Sequence, residues 1–149
     1  MADTKINGAL FQSMVTEGAL AITEQKEQIN ELNVFPVPDG DTGTNMSLTL
    51  QSAVKELLSC NSNSIYDIAE AVSKGALRGA RGNSGVILSQ VLRGFCNTIK
   101  EAQAVDIKLF ASAVQNGAKV AYGAVSKPKE GTMLTVAREV GEHAWTVRG

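Results

Sequence analysis

Asp39 and Asp41 are alternate acidic residues within Asn33-Val34-Phe35-Pro36-Val37-Pro38-Asp39-Gly40-Asp41-Thr42-Gly43-Thr44-Asn45-Met46. Pro36 and Pro38 stiffen the approach and bias the residues before them toward extended backbone. Gly40 and Gly43 permit turns closed to other residues. Two carboxylates held close in such a turn repel each other unless a cation sits between them. Two aspartates, two threonines and an asparagine in seven residues make an oxygen-rich set suited to a hard cation. The competing reading is structural, with the aspartates capping the helix that follows and stabilising the turn. One aspartate would satisfy that use, and Thr42 or Thr44 could serve in its place.

Calcium in an EF-hand fails on register. With Asp39 as the first position, Thr44 falls where the glycine belongs and Leu50 where the bidentate glutamate belongs. Magnesium suits the segment better, because it takes few protein carboxylates and completes its shell with water and phosphate. A phosphate would also gain from free amides at the start of the helix after Gly43.

Two further breaks carry chemistry-bearing residues. Gly75-Ala76-Leu77-Arg78-Gly79-Ala80-Arg81-Gly82-Asn83-Ser84-Gly85 matches neither a Walker loop nor a dinucleotide fingerprint. It nevertheless runs into a helix, where a hydroxyl and unpaired amides seat phosphate. Ser84 as a simple N-cap, and Arg78 and Arg81 as ordinary surface arginines, are the plainer readings. Lys127-Pro128-Lys129-Glu130-Gly131-Thr132-Met133 again places a glycine at a helix start, which by itself is punctuation.

Six helical patterns must position these breaks. The first has Leu10, Phe11, Met14, Val15, Gly18, Ile22 and Ile29 at helical spacing. The second carries Met46, Leu50, Ala53, Val54, Leu57 and Leu58 on one face and ends at Cys60-Asn61-Ser62-Asn63. Ser64 caps the third, with Asp67 as its acidic partner and Ile65, Ile68, Ala69, Val72 and Ala76 inward. The fourth shows Leu88, Leu92, Phe95 and Ile99, widened by Ile87 and Val91. The fifth starts near Asp106 and shows Leu109, Phe110, Ala113, Val114, Gly117, Ala118, Ala121 and Val125. The sixth turns Met133, Val136, Val140 and Ala144 inward. Strand-like alternation is nowhere sustained, and each helix owns one apolar stripe. The predicted fold is therefore an all-α, antiparallel up-and-down bundle or barrel. Alternate connections of such a bundle lie at one end, so the three unusual breaks are expected to converge on one rim.

Composition narrows the partners. The 149 residues fit one domain, 1–149. A net charge of -1 gives no reason to expect nucleic acid or an anionic membrane. No apolar run approaches the roughly 20 residues of a transmembrane segment, and Met1-Ala2-Asp3-Thr4-Lys5 lacks the pattern of a secretory signal. Cys60 and Cys96 read as reduced packing residues of a cytoplasmic protein. His143 stands alone and reads as a polar residue near a helix end.

The segment Asn33 to Met46 resembles the nucleotide-binding signature of the L-subunit domain of dihydroxyacetone kinases. It is closer to the form at the N-terminus of the bacterial fatty acid kinase ATP-binding subunit. Arg78 to Gln90 and Lys127 to Val136 are similar to that subgroup's second and third motifs. The resemblance implies a helical barrel with ATP and a pair of magnesium ions at one rim. It makes Asp39 and Asp41 the catalytic metal ligands, with Asn33 as a third. Thr42, Gly43, Thr44, Asn45, Gly82, Asn83, Ser84 and Gly85 would hold phosphate, and Thr132 and Met133 would lie near ribose or adenine. The sugar-kinase form reads Gly-Asp-Gly-Asp-His-Gly; here Pro38 replaces the first glycine and Thr42 the histidine, which favours an acyl-phosphate-forming kinase.

By the same resemblance, the acceptor is a fatty acid carboxylate presented by a separate fatty-acid-binding partner protein. The family's helical domain continues beyond Ala144-Trp145-Thr146-Val147-Arg148-Gly149, and the fatty acid kinase subunit has further domains. A fragment of a longer subunit is therefore expected, truncated relative to the family, with Trp145 exposed and an open edge that a second copy could cover. Two rivals remain: a dihydroxyacetone (glycerone) kinase subunit, and a nucleotide- or metal-sensing helical module without catalysis.

Overall fold

The computed structural model describes residues 5–148. Among the described residues seven helices follow in order: α1 (Gly8–Glu24), α2 (Lys26–Leu32), α3 (Thr42–Leu58), α4 (Ile65–Arg78), α5 (Gly82–Ile99), α6 (Ile107–Ala124) and α7 (Met133–Thr146). The fold is all-α as predicted. Among the described residues the only strand-like pairing is an isolated bridge between Ile6 and Val105. Among the described residues no helix is long and apolar enough to cross a membrane.

The helix starts follow local chemistry. Asn7, Ser64 and Asp106 accept the amides of Leu10, Asp67 and Leu109 and cap α1, α4 and α6. Only half of the expected capping box forms at α4, because the Ser64 amide donates to Ser62 Oγ rather than to Asp67. The single first helix expected from the sequence is two. Gln25 ends α1 with its amide shared between Ala21 and Ile22, and α2 then leans on α3. Gly43 allows this approach, since a Cβ there would stand 2.1 Å from the Lys26 carbonyl oxygen.

From α3 onward each helix packs on the next, and α3 also receives α1, α2 and α5. Small residues bring α5 and α6 close: a Cβ on Gly94 would meet the Asn116 carbonyl oxygen at 2.7 Å, and one on Gly117 the Val91 carbonyl oxygen at 2.6 Å. The core is graded along the bundle. Leu57, Ile65, Ile68, Val72, Ile99 and Val105 are fully buried, with Phe95 between Phe11 and Phe110 at centroid distances of 5.9 and 5.5 Å. These large side chains gather toward the end where α3 meets α4 and α5 meets α6. Toward the opposite end most buried residues are small or polar, among them Ser47, Thr49, Gly85, Ser89 and Ala121, with Leu134 at the start of α7 a large exception.

The predicted inner faces hold for α4, where Ile65, Ile68, Ala69, Val72 and Ala76 are all buried. They hold in α6 as well, where Ala113, Gly117, Ala118 and Ala121 are buried, but rotate in α1, α3 and α7. In α1, Phe11 and Ala19 are buried while Leu10 and Met14 are exposed. In α3, Leu58 is 69% exposed and Ser47 and Thr49 take inner positions. In α7, Leu134 and Gly141 are buried, whereas Val136 and Val140, predicted inward, are exposed. The reason is common to α1 and α7. Each has few neighbours, so only part of its apolar stripe finds a partner. Cys96 is buried and Cys60 half-buried, as packing residues, and His143 lies in the last turn of α7.

Candidate functional site

The proline-rich loop is held by two asparagines. The Asn33 side-chain oxygen accepts the amides of Asp41 and Thr42 at 3.1 and 3.3 Å, and its nitrogen donates to the Val37 carbonyl at 3.1 Å. Asn30 accepts the Thr44 amide at 3.0 Å and donates to the Thr44 hydroxyl at 2.9 Å. Together they accept the Thr42 and Thr44 amides at the start of α3, where free amides for phosphate are expected from the sequence, and leave the Gly43 amide without an acceptor among the described residues. Asp41 stands at the N-cap position without capping by its side chain. With Gly40 at φ +67° between them, Asp39 and Asp41 are exposed. Neither carboxylate has a hydrogen-bond or ion-pair partner among the described residues. The asparagines do the capping that was the alternative use of the aspartates, and the carboxylates are left over.

Asn33 is engaged through both side-chain atoms, so as a metal ligand it would first have to release the loop it staples. Thr44 and Gly43 face α2, on the side away from α5. Thr42 and Asn45 face the other way.

The second break meets that other side. The Ser84 hydroxyl donates to Thr42 Oγ1 at 3.3 Å. Gly82 has φ +63°, and a Cβ there would stand 2.3 Å from Asn45 Nδ2. The helix opens at Gly82, earlier than the pattern suggested, so Ser84 lies within the first turn and is not the N-cap. Arg81 occupies that position without a side-chain cap. The amides of Gly82, Asn83 and Ser84 have no acceptor among the described residues and form the exposed positive end of an 18-residue helix. Fully buried Thr49 sets this end against α3: its hydroxyl donates to the Asn45 carbonyl at 2.8 Å and accepts the Arg81 amide at 3.2 Å. Arg78 is committed elsewhere, 2.6 Å from Glu56, while Arg81 stays exposed.

The third break reaches the rim through Phe35, whose ring lies 3.6 Å from where a Cβ on Gly131 would be. Thr132 caps α7, accepting the Leu134 amide at 3.3 Å and donating to the Lys129 carbonyl at 2.8 Å. Met133 opens the helix, partly buried. All three breaks therefore lie along one end of the bundle, before α3, α5 and α7. Asn30 and Thr49 were not singled out from the sequence. Thr49 carried a signal, being a polar residue on the buried side of α3, whereas Asn30 bonds across a loop and had none.

The donor set fits a magnesium ion shared with phosphate. Among the described residues no cluster of three or more His, Cys, Asp or Glu could enclose a metal, but two unengaged carboxylates suffice where water and phosphate complete the shell. A groove of about 540 Å³ between α6 and α7, lined by Gln115, Lys119, Tyr122 and Arg138 among others, includes none of the candidate site residues.

An all-helical bundle with an oxygen-rich acidic loop facing a free helix N-terminus defines a candidate anion- and metal-binding domain. Residues 36–148 match the family described as the DAK2 domain, and the chain belongs to that family, which is associated with kinase function. An uncharacterized protein of Staphylococcus epidermidis (strain ATCC 12228 / FDA PCI 1200) is 49% identical over 141 residues, covering 95% of this chain and 26% of the relative. An uncharacterized protein of Staphylococcus aureus (strain USA300) shows the same identity and coverage. The chain thus spans about a quarter of the length of these curated relatives.

Proposed function

We propose that this chain is the nucleotide-binding domain of an ATP-dependent kinase that phosphorylates a fatty acid carboxylate. The observation that carries this reading is the pairing, across the Thr42–Ser84 hydrogen bond, of unengaged acidic and amide groups. On one side stand the Asp39 and Asp41 carboxylates, on the other the free amides of Gly82, Asn83 and Ser84. Magnesium held by Asp39 and Asp41 would neutralise phosphate charge. The α5 amides and the Ser84 hydroxyl bind and orient phosphate oxygens, and the α5 dipole favours their charge. Thr42 and Asn45 line the same face. Thr132 and Met133, joined to the rim through Phe35, would lie toward the nucleoside.

The reaction is in-line transfer. A carboxylate oxygen bonds to the γ-phosphorus as the β–γ bridging bond breaks, giving an acyl phosphate and ADP. The protein's contribution is placement and charge, so no histidine or cysteine nucleophile is needed. No residue in this set offers an acyl-chain pocket, which is why the acceptor is assigned to a lipid-binding partner. The remaining domains of a longer subunit would dock that partner. The replacement of histidine by Thr42 supports this acceptor over dihydroxyacetone.

The test is ADP formation by the full-length protein containing this domain, supplied with magnesium, ATP and a long-chain fatty acid on a fatty-acid-binding protein. Turnover that requires both fatty acid and carrier supports the reading. Turnover with dihydroxyacetone instead would reassign the acceptor, and nucleotide binding without turnover on either would make the domain a sensor.

A further inference from the structure

Glu130 is an exposed carboxylate with an unusual number of partners. It accepts from Tyr122 Oη at 3.2 Å, from the Thr135 hydroxyl and from the Arg138 guanidinium. The Thr135 hydroxyl in turn accepts the Gly131 amide at 2.9 Å. Tyr122 belongs to α6, while Thr135 and Arg138 belong to α7. One side chain thus ties the loop before α7 to both helices that flank it. Thr135 foremost, with Arg138 and Tyr122, holds the Glu130 carboxyl below the usual carboxylate range. The side chains of Lys127 and Lys129 form no bond among the described residues, while the Lys129 carbonyl accepts the Thr132 hydroxyl, so the tied portion of the loop runs from Lys129 onward. That stretch includes Gly131, packed on Phe35, and Thr132, the α7 cap.

A surface pair alone contributes little to stability, and three donors on one exposed carboxylate exceed what a connection between two helices needs. The network fixes a rim loop whose Gly131 lies against Phe35 of the acidic loop. We infer that Glu130 is a positioning residue: it holds Thr132 and Met133 where they select the nucleoside half of the ligand, without contacting the phosphates. This inference rests on the nucleotide-binding reading of the rim.

Calorimetric titration of magnesium ATP and of magnesium tripolyphosphate into the wild-type chain, Glu130→Ala and Thr135→Val separates the two. Tripolyphosphate has the phosphates without the nucleoside. Glu130→Ala is expected to weaken ATP about tenfold, the loss of roughly 1.4 kcal/mol, and to leave tripolyphosphate unchanged. Simple electrostatics predicts the opposite sign, because removing a negative charge near a polyanion tightens both ligands. Thr135→Val keeps every charge and is expected to weaken ATP alone, by a smaller factor. Equal losses for both ligands, no loss for either, or tighter binding of both would overturn the inference while leaving the phosphate site standing. Wild-type chain that binds neither ligand would overturn the reading of the rim and the inference with it.

Discussion

Ser84 and Thr42, forty-two positions apart, meet hydroxyl to hydroxyl at 3.3 Å and close the gap between the acidic loop and the start of α5. On ligand binding the Ser84 proton would turn from Thr42 Oγ1 to a phosphate oxygen, so Ser84→Ala removes one phosphate donor together with this single long hydrogen bond. A hydrogen bond to a charged group is worth about 1.5–3 kcal/mol. Ser84→Ala should therefore weaken magnesium ATP by roughly tenfold to a hundredfold, with little change in thermal midpoint. Unchanged affinity by calorimetry would show that phosphate does not use this hydroxyl.

Gly82 is a tight point of the rim. A side chain there is strained at φ +63° and collides with Asn45. Gly82→Ala should cost about 1–3 kcal/mol of stability and shift the α5 amides, so chemical denaturation and nucleotide titration should both register it. A variant with wild-type midpoint and affinity would contradict the placement of α5 against Asn45.

Thr49 carries the same argument into the buried layer. Thr49→Val keeps the shape but leaves the Arg81 amide without its acceptor, a loss of about 1–3 kcal/mol. Thr49→Ser should recover most of the lost midpoint in urea denaturation, since it restores the hydroxyl. Destabilisation by Ser with none by Val would point to the methyl group instead.

Much of this arrangement was legible in the sequence. Ile65, Ile68, Ala69, Val72 and Ala76 repeat cleanly because α4 is enclosed along that whole face. The order of breaks also implied a shared rim, and the contacts of Gly131 with Phe35 and of Ser84 with Thr42 lie along it. The faces of α1 and α7 were misjudged because periodicity identifies an apolar stripe, not how much of it a neighbour covers. Leu10, Met14, Val136 and Val140 are apolar and exposed for that reason. The start of α5 was misplaced because Gly82, Asn83 and Ser84 are weak helix formers. The roles of Asn30 and Asn33 lay in side-chain bonds to backbone across a loop, which no local pattern encodes.

Cys96 supplies a pH dependence. Burial, with a smaller contribution from Glu70, pushes its thiol up from 9.0 to about 12. Unfolded chains lose this proton near pH 9 while folded chains keep it, so the unfolded state binds fewer protons between those values and stability falls as pH rises. The contribution is complete below pH 9 and lost progressively from pH 9 toward pH 12. Urea midpoints measured across that window should decline, and Cys96→Val should flatten the part due to this thiol. In native buffer a thiol reagent should modify half-buried Cys60 before Cys96; the reverse order would contradict the packing of α5.

The central claim is that Asp39 and Asp41 hold a metal for a nucleotide. Its most direct test is calorimetric titration of ATP, with and without magnesium, into this chain and into Asp41→Asn. The carboxylate has no side-chain partner among the described residues, so the substitution should leave the fold undisturbed. The account predicts magnesium-dependent binding by the wild-type chain, and its loss in Asp41→Asn at unchanged thermal midpoint. Binding that ignores magnesium, or that survives Asp41→Asn unaltered, would contradict it.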